Sequence, residues 1–313
     1  MSAARPLLPI DVIALVSYEG KVYPNQAMPW ERLGKGQGPH PLEAALEQWF
    51  SFTAGRHTWV SLRGQTVRGL ISARQRGQKH TWEIDCLIAA EEGICRELLN
   101  RLCQEATSGG VERVFLRLAE DGELLDPVQE AGFQAYVHEE LWAWPGLPQP
   151  KDPGGLALRP RTREDLLPLF QLYNATAPAK VRCIEGTTLR QWWANRELGR
   201  GPGRPRELVM EQEGRITAWL LLTADDDLGR FSFLAHPTAH EKIGPLINTA
   251  LARLARKKLV VALVPEHMAW ATEALAGAGF GPAGRYTALV RPILQPALAP
   301  QRTSMRYHAL PAP

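Results

Sequence analysis

The sequence is short of the features that would place a protein outside the cell or in a membrane. It has four cysteines in 313 residues, Cys86, Cys95, Cys103 and Cys183, with no CxxC pair and no His/Cys cluster. A disulfide framework and a structural zinc site are therefore excluded as organising devices. Cys95 and Cys103 fall on the apolar side of an expected helix and read as small core residues. No apolar run is long enough to span a bilayer, and the N-terminus has no apolar core of the secretion-signal kind. A cytoplasmic location is the expectation. Excess charge of one sign is absent too, the formal net charge being +3. Neither a membrane nor nucleic acid is expected as a partner. The basic stretch 199–206 reads as a solvated loop, and Asp225-Asp226-Asp227 lacks calcium-loop spacing and reads as a hairpin turn.

What the sequence does contain is repetition. Arg5-Pro6 through Asp11 and Arg159-Pro160 through Asp165 recur at a constant offset of 154 residues, each followed by an apolar run. Asp165 stands where a helix N-cap is expected. Ala131-Gly132-Phe133 and Ala278-Gly279-Phe280 recur at an offset of 147, each between a helix-like and a strand-like segment. The glycine there suits the position after a helix end, where positive φ is needed. One supersecondary unit used twice accounts for both matches.

The order of elements is the same in the two halves. In the first, a strand end and helix lead into an irregular stretch at 17–40 and a helix at 41–52. Strands are expected at 58–62, 67–74 and 81–88, then a helix at 94–107, a strand at 114–118, a helix at 123–131 and a strand at 134–144. In the second, a strand, a helix and an irregular segment run to about 206. Strands follow at 207–211, 216–223 and 230–234, then helix 245–257, strand 260–264, helix 270–277 and strand 286–290. The expected organisation is a first domain at 1–144, a Pro/Gly linker at 145–155, a second domain at 156–292 and a Pro/Ala-rich tail at 293–313. Trp142, Trp144, Trp192 and Trp193 are expected to pack around the boundary between halves.

Four features together resemble the GNAT acyltransferase superfamily: the Arg-Pro…Asp segment, the strand-to-helix passage that includes His236-Pro237, the helix-to-strand steps at 114–118 and 260–264, and Ala-Gly-Phe before the last strand. The fold implied is α/β, in the sense of an α+β mixed sheet: two tandem GNAT-like domains, each a mostly antiparallel sheet flanked by helices. The implied chemistry is acyl transfer from acetyl-CoA, or another acyl-CoA, to an amine of a small molecule or peptide. Such a fold splays its fourth and fifth strands to admit the pantetheine arm and sets the pyrophosphate on a Gln/Arg-x-x-Gly-x-Gly/Ala loop.

On that resemblance the first-half loop is Ala90 to Cys95, so Gly93, Ile94, Cys95 and Arg96 are the cofactor-binding candidates. The second-half loop is Thr238 to Ile243, giving His240, Lys242 and Gly244. Each loop departs from the pattern: Glu91 and Glu92 bring negative charge to the first and suit a helix N-terminus as well, while the second lacks both usual glycines. Glu83 and Asp85 alternate with Trp82 and Ile84 and so share a face. They are the candidate base, or else residues of a solvated sheet face. The tyrosine acid of the family is replaced by Val128 and Leu275, and its helper asparagine by Asp121 and Met268. Two readings follow: an acyl-CoA-dependent N-acyltransferase with at most one active half, first assigned to the N-terminal one, or a non-catalytic tandem protein that binds a ligand or partner protein through the retained cleft. No metal is expected. The oligomeric expectation is a monomer with pseudo-dimeric halves, or a homodimer.

Overall fold

A computed structural model describes residues 4–8, 11, 24–35, 56–64, 66–77, 80–145, 155–196, 205–225 and 227–293. The helix expected after Asp11, the helix expected at 41–52, most of the linker, the basic stretch up to 204 and the tail after Ile293 lie outside the described residues. The first half supplies β1 (Arg5–Pro6), β2 (Arg56–Arg63), β3 (Thr66–Gln75), β4 (Thr81–Ala89), α1 (Glu92–Ser108), β5 (Arg113–Ala119), α2 (Leu125–Glu130) and β6 (Gln134–Pro145). The second supplies β7 (Leu158–Pro160), α3 (Leu166–Thr176), α4 (Ala179–Glu185), α5 (Leu189–Asn195), β8 (Arg206–Gln212), β9 (Arg215–Ala224), β10 (Leu228–Ala235), α6 (Ile243–Arg253), β11 (Leu259–Pro265), α7 (Thr272–Gly277) and β12 (Gly281–Pro292).

All twelve strands join one sheet in the order β1-β2-β3-β4-β5-β12-β6-β11-β10-β9-β8-β7. Within each half the meander is antiparallel, and β4–β5 and β10–β11 are parallel. The two halves exchange their last strands. β12, from the end of the chain, pairs with β5 of the first half; β6, from the first half, pairs with β11 of the second; and β6 and β12 pair with each other. The sheet therefore runs unbroken through both halves, with its long central ladder built from one strand of each.

Local chemistry explains the repeated pieces. Between β8 and β9, Glu213 and Gly214 both take positive φ, 51° and 73°, which is the two-residue turn whose twist suits a hairpin. After α2 and α7 the chain ends the helix in the same way: Gly132 and Gly279 take φ of 88° and 99°, and Phe133 and Phe280 donate their N–H groups back to Val128 and Leu275. The Arg-Pro…Asp segments also coincide, although not as caps. Asp165 makes no hydrogen bond into α3. Its carboxylate instead faces back into the preceding turn, where it takes both guanidinium nitrogens of Arg159 at 2.7 Å and the Thr162 N–H at 2.6 Å. Asp11 does the same with Arg5 at 2.7 and 2.6 Å and with the Leu8 N–H at 2.8 Å.

Cores form on both faces. α1 and α2 bury Cys95, Leu98, Leu99, Leu102 and Val128 against the first half of the sheet, and α6 and α7 bury Leu246, Ile247, Ala250 and Leu275 against the second. On the other face α3, α4 and α5 of the second half cover Trp219 and Leu221, and also Phe115 and Val290 of β5 and β12. The tryptophans divide accordingly: Trp142 and Trp144 pack with the α6–α7 core, Trp192 and Trp193 with the α3–α5 core. They are not one boundary cluster. The segment expected to be irregular after α3 holds two seven-residue helices, the second capped by Thr188 on the Gln191 N–H. Their shortness and the Gly-Thr-Thr punctuation hide them from periodicity. Cys95 and Cys103 are buried and free, as expected, and burial pushes their thiols up to about 12 and about 11.

Candidate functional site

Both parallel strand pairs splay. β4 and β5 are in register only from Thr81 to Glu83, and β10 and β11 only from Leu228 to Phe231. Beyond those points the facing backbone edges separate. What enters the two gaps differs.

In the first half the gap is filled by the chain itself. Residues Asn25 to Met28 lie between β4 and β5. Asn25 donates its side-chain amide to the Asp85 carbonyl at 3.1 Å and accepts the Leu87 N–H at 2.9 Å. Gln26 donates its N–H to the Leu87 carbonyl at 2.8 Å, and Met28 donates to the Arg117 carbonyl at 3.0 Å on the opposite strand. Arg117 returns a bond to the Met28 carbonyl at 3.2 Å, and Ala27 is fully buried in the α1 core. Arg32 ties the loop to itself through the carbonyls of Asn25 and Ala27. A sheet edge that would otherwise lack partners is thus satisfied internally. The sequence marked 17–40 only as irregular, and no spacing signal distinguishes Asn25.

The same segment continues onto the second half. Trp30 donates its indole N–H to Thr223 at 3.2 Å. Arg230 of β10, 2 % exposed, donates to the carbonyls of Leu33 and Glu31 and to the Asp225 carboxylate. Gly34, at φ +76°, lies so close to Val261 that a Cβ would meet it at 2.9 Å.

The candidate carboxylates Glu83 and Asp85 do share a face, and that face is not solvated: they are 6 % and 8 % exposed. Arg74, opposite Glu83 on β3, binds it at 3.0 and 2.8 Å and reaches Glu31 at 2.9 Å with the same guanidinium. Asp85 pairs with Arg56 and stands 3.9 Å from Arg74. Burial raises the Asp85 carboxyl above its ordinary value, with Arg56 and Arg74 opposing the rise. Burial works against the Arg74 charge, and Glu83, Glu31 and Asp85 outweigh it and raise its pKa. These groups hold one another by charge pairing in a dry setting.

At the start of α1, the N–H groups of Ile94 and Cys95 both donate to the Glu91 carbonyl at 3.1 Å, and the side chains of both enter the core. Arg96 is held by Glu92 at 3.0 Å and Glu130 at 2.6 Å. Gly93 is exposed, with open space where a Cβ would stand. Val128 and Leu275, at the positions where the resemblance puts the tyrosine acid, are completely buried.

The second-half gap holds no such hydrogen-bonded segment among the described residues. Among the described residues, no hydrogen bond from another segment reaches the β11-facing edge of β10 between Phe233 and Ala235. The counterpart of the filling loop is α4, which packs against β6 instead and donates from Lys180 to the Ala135 carbonyl. A 3-10 turn over Pro237–Lys242 follows β10, and another over Glu266–Ala271 follows β11. His240 of the first stacks on Trp270 of the second with ring centroids 3.8 Å apart, joining the ends of the two diverging strands. Lys242 is exposed and has no ion partner among the described residues, and Gly244 is half-buried with free space at its Cα. Leu234 packs against both the α6–α7 core and the α3–α5 core, and the latter contains Tyr136 and Tyr173. Those two hydroxyls donate to the Glu185 carboxylate at 3.5 and 2.9 Å. No group of three or more metal-ligating side chains occurs among the described residues, and no helix among them is long and apolar enough to cross a membrane.

The sequence model of the Acetyltransferase (GNAT) family matches residues 24–124. No curated protein sequence matches the chain. Among solved structures, a tandem GNAT protein from the clavulanic acid biosynthesis pathway, solved without acetyl-CoA, is 16 % identical, with a TM-score of 0.52, over 95 % of this chain and 100 % of that one. A GCN5-related N-acetyltransferase from Sphaerobacter thermophilus is 14 % identical, with a TM-score of 0.56, over 95 % and 97 %. At those identities the likeness is one of fold.

Proposed function

For a chain with the tandem GNAT fold and the GNAT acetyltransferase signature in residues 24–124, we propose an acyl-CoA-dependent N-acyltransferase whose cofactor slot is the gap between β10 and β11. One observation carries the choice of half: Asn25, Gln26 and Met28 already take the backbone groups of Leu87 and Arg117 in the first-half gap, whereas the second-half gap has no such occupant among the described residues. Acyl-CoA, when bound, supplies a thioester-activated acyl group. The chain's own part is to hold and orient it. The free edge of β10 offers backbone N–H and C=O groups, Lys242 offers a cation for phosphate, and the His240–Trp270 pair offers a flat aromatic surface at the mouth. Glu185, fixed by two tyrosine hydroxyls, is the carboxylate put forward to receive the proton of the amine. The acceptor is an amine of a small molecule or peptide.

Calorimetric titration of acetyl-CoA tests this. The expected result is one site per chain, weakened about tenfold or more by Lys242→Glu and unaffected by Arg96→Glu. The reverse pattern would move the slot to the first half. Silence at about 1 mM ligand, in heat and in thermal shift, would remove the proposal. It would leave the second reading, a non-catalytic tandem protein binding a ligand or partner protein. That reading is favoured by the buried Val128 and Leu275 at the positions of the expected acids.

A further inference from the structure

The opposite end of the second half carries a feature that acyl transfer does not use. Where α6 ends and β11 begins, a cleft of about 490 Å³ opens between the last turn of the helix and the ends of β8 and β9. Leu222 and Leu254 line it, and Arg206, Arg253, Arg256 and Lys257 surround it. The volume lies within the range of small-molecule sites. α6 has 11 residues and is therefore about 16 Å long, which separates this cleft from the turn over Pro237–Lys242.

The charges around the cleft do not cancel. Asp225 is bound by Arg230 at 2.9 Å and Lys35 at 3.3 Å, and Asp227 by Lys258 at 2.9 Å. Lys257 donates to the Asp225 backbone carbonyl at 2.5 Å. Arg206, Arg253 and Arg256 have no carboxylate partner among the described residues. Two of them sit in or just beyond the last turn of a helix, where a cation is favoured by the helix dipole. That effect amounts to about half an elementary charge and concerns α6 alone. Arg206 comes from β8, cross-strand from Leu222, and adds a third guanidinium from a distant part of the sequence. Three guanidinium groups above an apolar floor suit a ligand with a charged end and a compact less polar body, and their planar forks suit phosphate oxygens.

We infer that this cleft binds a phosphate-bearing small molecule of nucleotide size, at a site separate from the acyl-CoA slot. The probes are inorganic pyrophosphate and ATP, titrated into the full chain by calorimetry at low ionic strength. Both are expected to bind, more weakly as salt is added, and about tenfold or more weakly in Arg253→Ala/Arg256→Ala. Arg206→Ala is expected to weaken them as well, and Lys242→Ala to leave them unchanged. All of these side chains are solvent-facing, and unchanged circular dichroism and Tm confirm that the variants fold. No binding at about 10 mM probe overturns the inference, as does equal affinity in the arginine variants. Loss of binding in Lys242→Ala would place the anion at the other end of α6 and overturns it too. So does binding of an RNA oligomer without binding of either small probe.

Discussion

Asn25 holds Leu87 from outside β4, accepting its N–H at 2.9 Å while the neighbouring Gln26 N–H takes its carbonyl at 2.8 Å. Two consecutive residues of an irregular loop thereby do for β4 what a fifth-strand neighbour would do in an unsplayed sheet. Asn25→Ala removes the acceptor for Leu87 and Ala27 and the donor to Asp85. Leaving buried backbone groups unpaired costs about 1–3 kcal/mol. Urea unfolding is expected to show a loss of that size, and hydrogen exchange to show faster exchange at the Leu87 amide. Unchanged exchange there would mean that the loop does not occupy the gap in solution.

Arg74 holds the buried Glu83 and the half-buried Glu31 at once, and breaking such a group is costly because the survivors keep their charge. Arg74→Met is expected to destabilise the protein by about 3–5 kcal/mol. Glu83→Gln is a milder change, since an amide still accepts from Arg74. With the slot in the second half, Glu83→Gln leaves both acetyl-CoA affinity and turnover near wild type. A variant that is stable but inactive would return Glu83 to the role of base.

Much of this architecture was legible in the sequence, and the limit falls at identifiable places. Arg5/Asp11 and Arg159/Asp165 reported a duplicated turn because the clamp is local, closing over six residues, so its parts stay together in sequence. Gly132 and Gly279 were legible for the same reason. The role of the aspartates was not, since an N-cap and a backward-facing clamp use the same residue at the same spacing. The strand exchange was invisible: β6 and β12 present the same alternation whether each pairs within its own half or across, and only the sheet order decides. The burial of Glu83 and Asp85 was equally hidden, because their partners Arg56, Arg74 and Glu31 come from three separate segments. The filling of the first gap depends on Asn25 meeting Leu87 across 62 residues, a contact that leaves no periodic trace.

The duplicated clamp gives a pH prediction. Asp165 is lowered to about 2, chiefly by the Arg159 hydrogen bond, with burial opposing, and Asp11 is lowered by Arg5 in the same way. A carboxyl depressed in the folded state contributes stability that is fully present above its unfolded value of about 3.9 and is lost as pH falls toward about 2. The arginines are partly exposed, so each clamp is expected to contribute about 1 kcal/mol or less. Urea unfolding between pH 5 and about 2.5 is expected to lose part of its slope in Asp165→Asn, and more in Asp11→Asn/Asp165→Asn. The variants and the wild type should converge at the acid end of the range. A constant gap across the whole range would show that the carboxylates act only as hydrogen-bond acceptors, not through their charge.

Strand exchange makes the sharpest prediction, because it concerns how the halves depend on each other. β12 is paired on both sides by strands of the first half, β5 and β6, and β6 separates it from β11. Cutting the chain within 146–154 leaves each fragment with a strand whose best partners belong to the other. Alone, residues 1–150 expose the edge of β5 or must close β6 onto it, and residues 151–313 expose the edge of β11, both of them unpaired rows of donors and acceptors. The expected outcome is that the fragments, co-expressed, purify as a one-to-one complex that unfolds in a single transition, while each alone is aggregated or self-associated. Removing 281–313 should likewise destabilise the first half, seen as faster hydrogen exchange in β5, Arg113–Ala119. Two fragments that elute separately as folded monomers would show that each half closes its own sheet, and that the continuous twelve-strand order is not what holds them together.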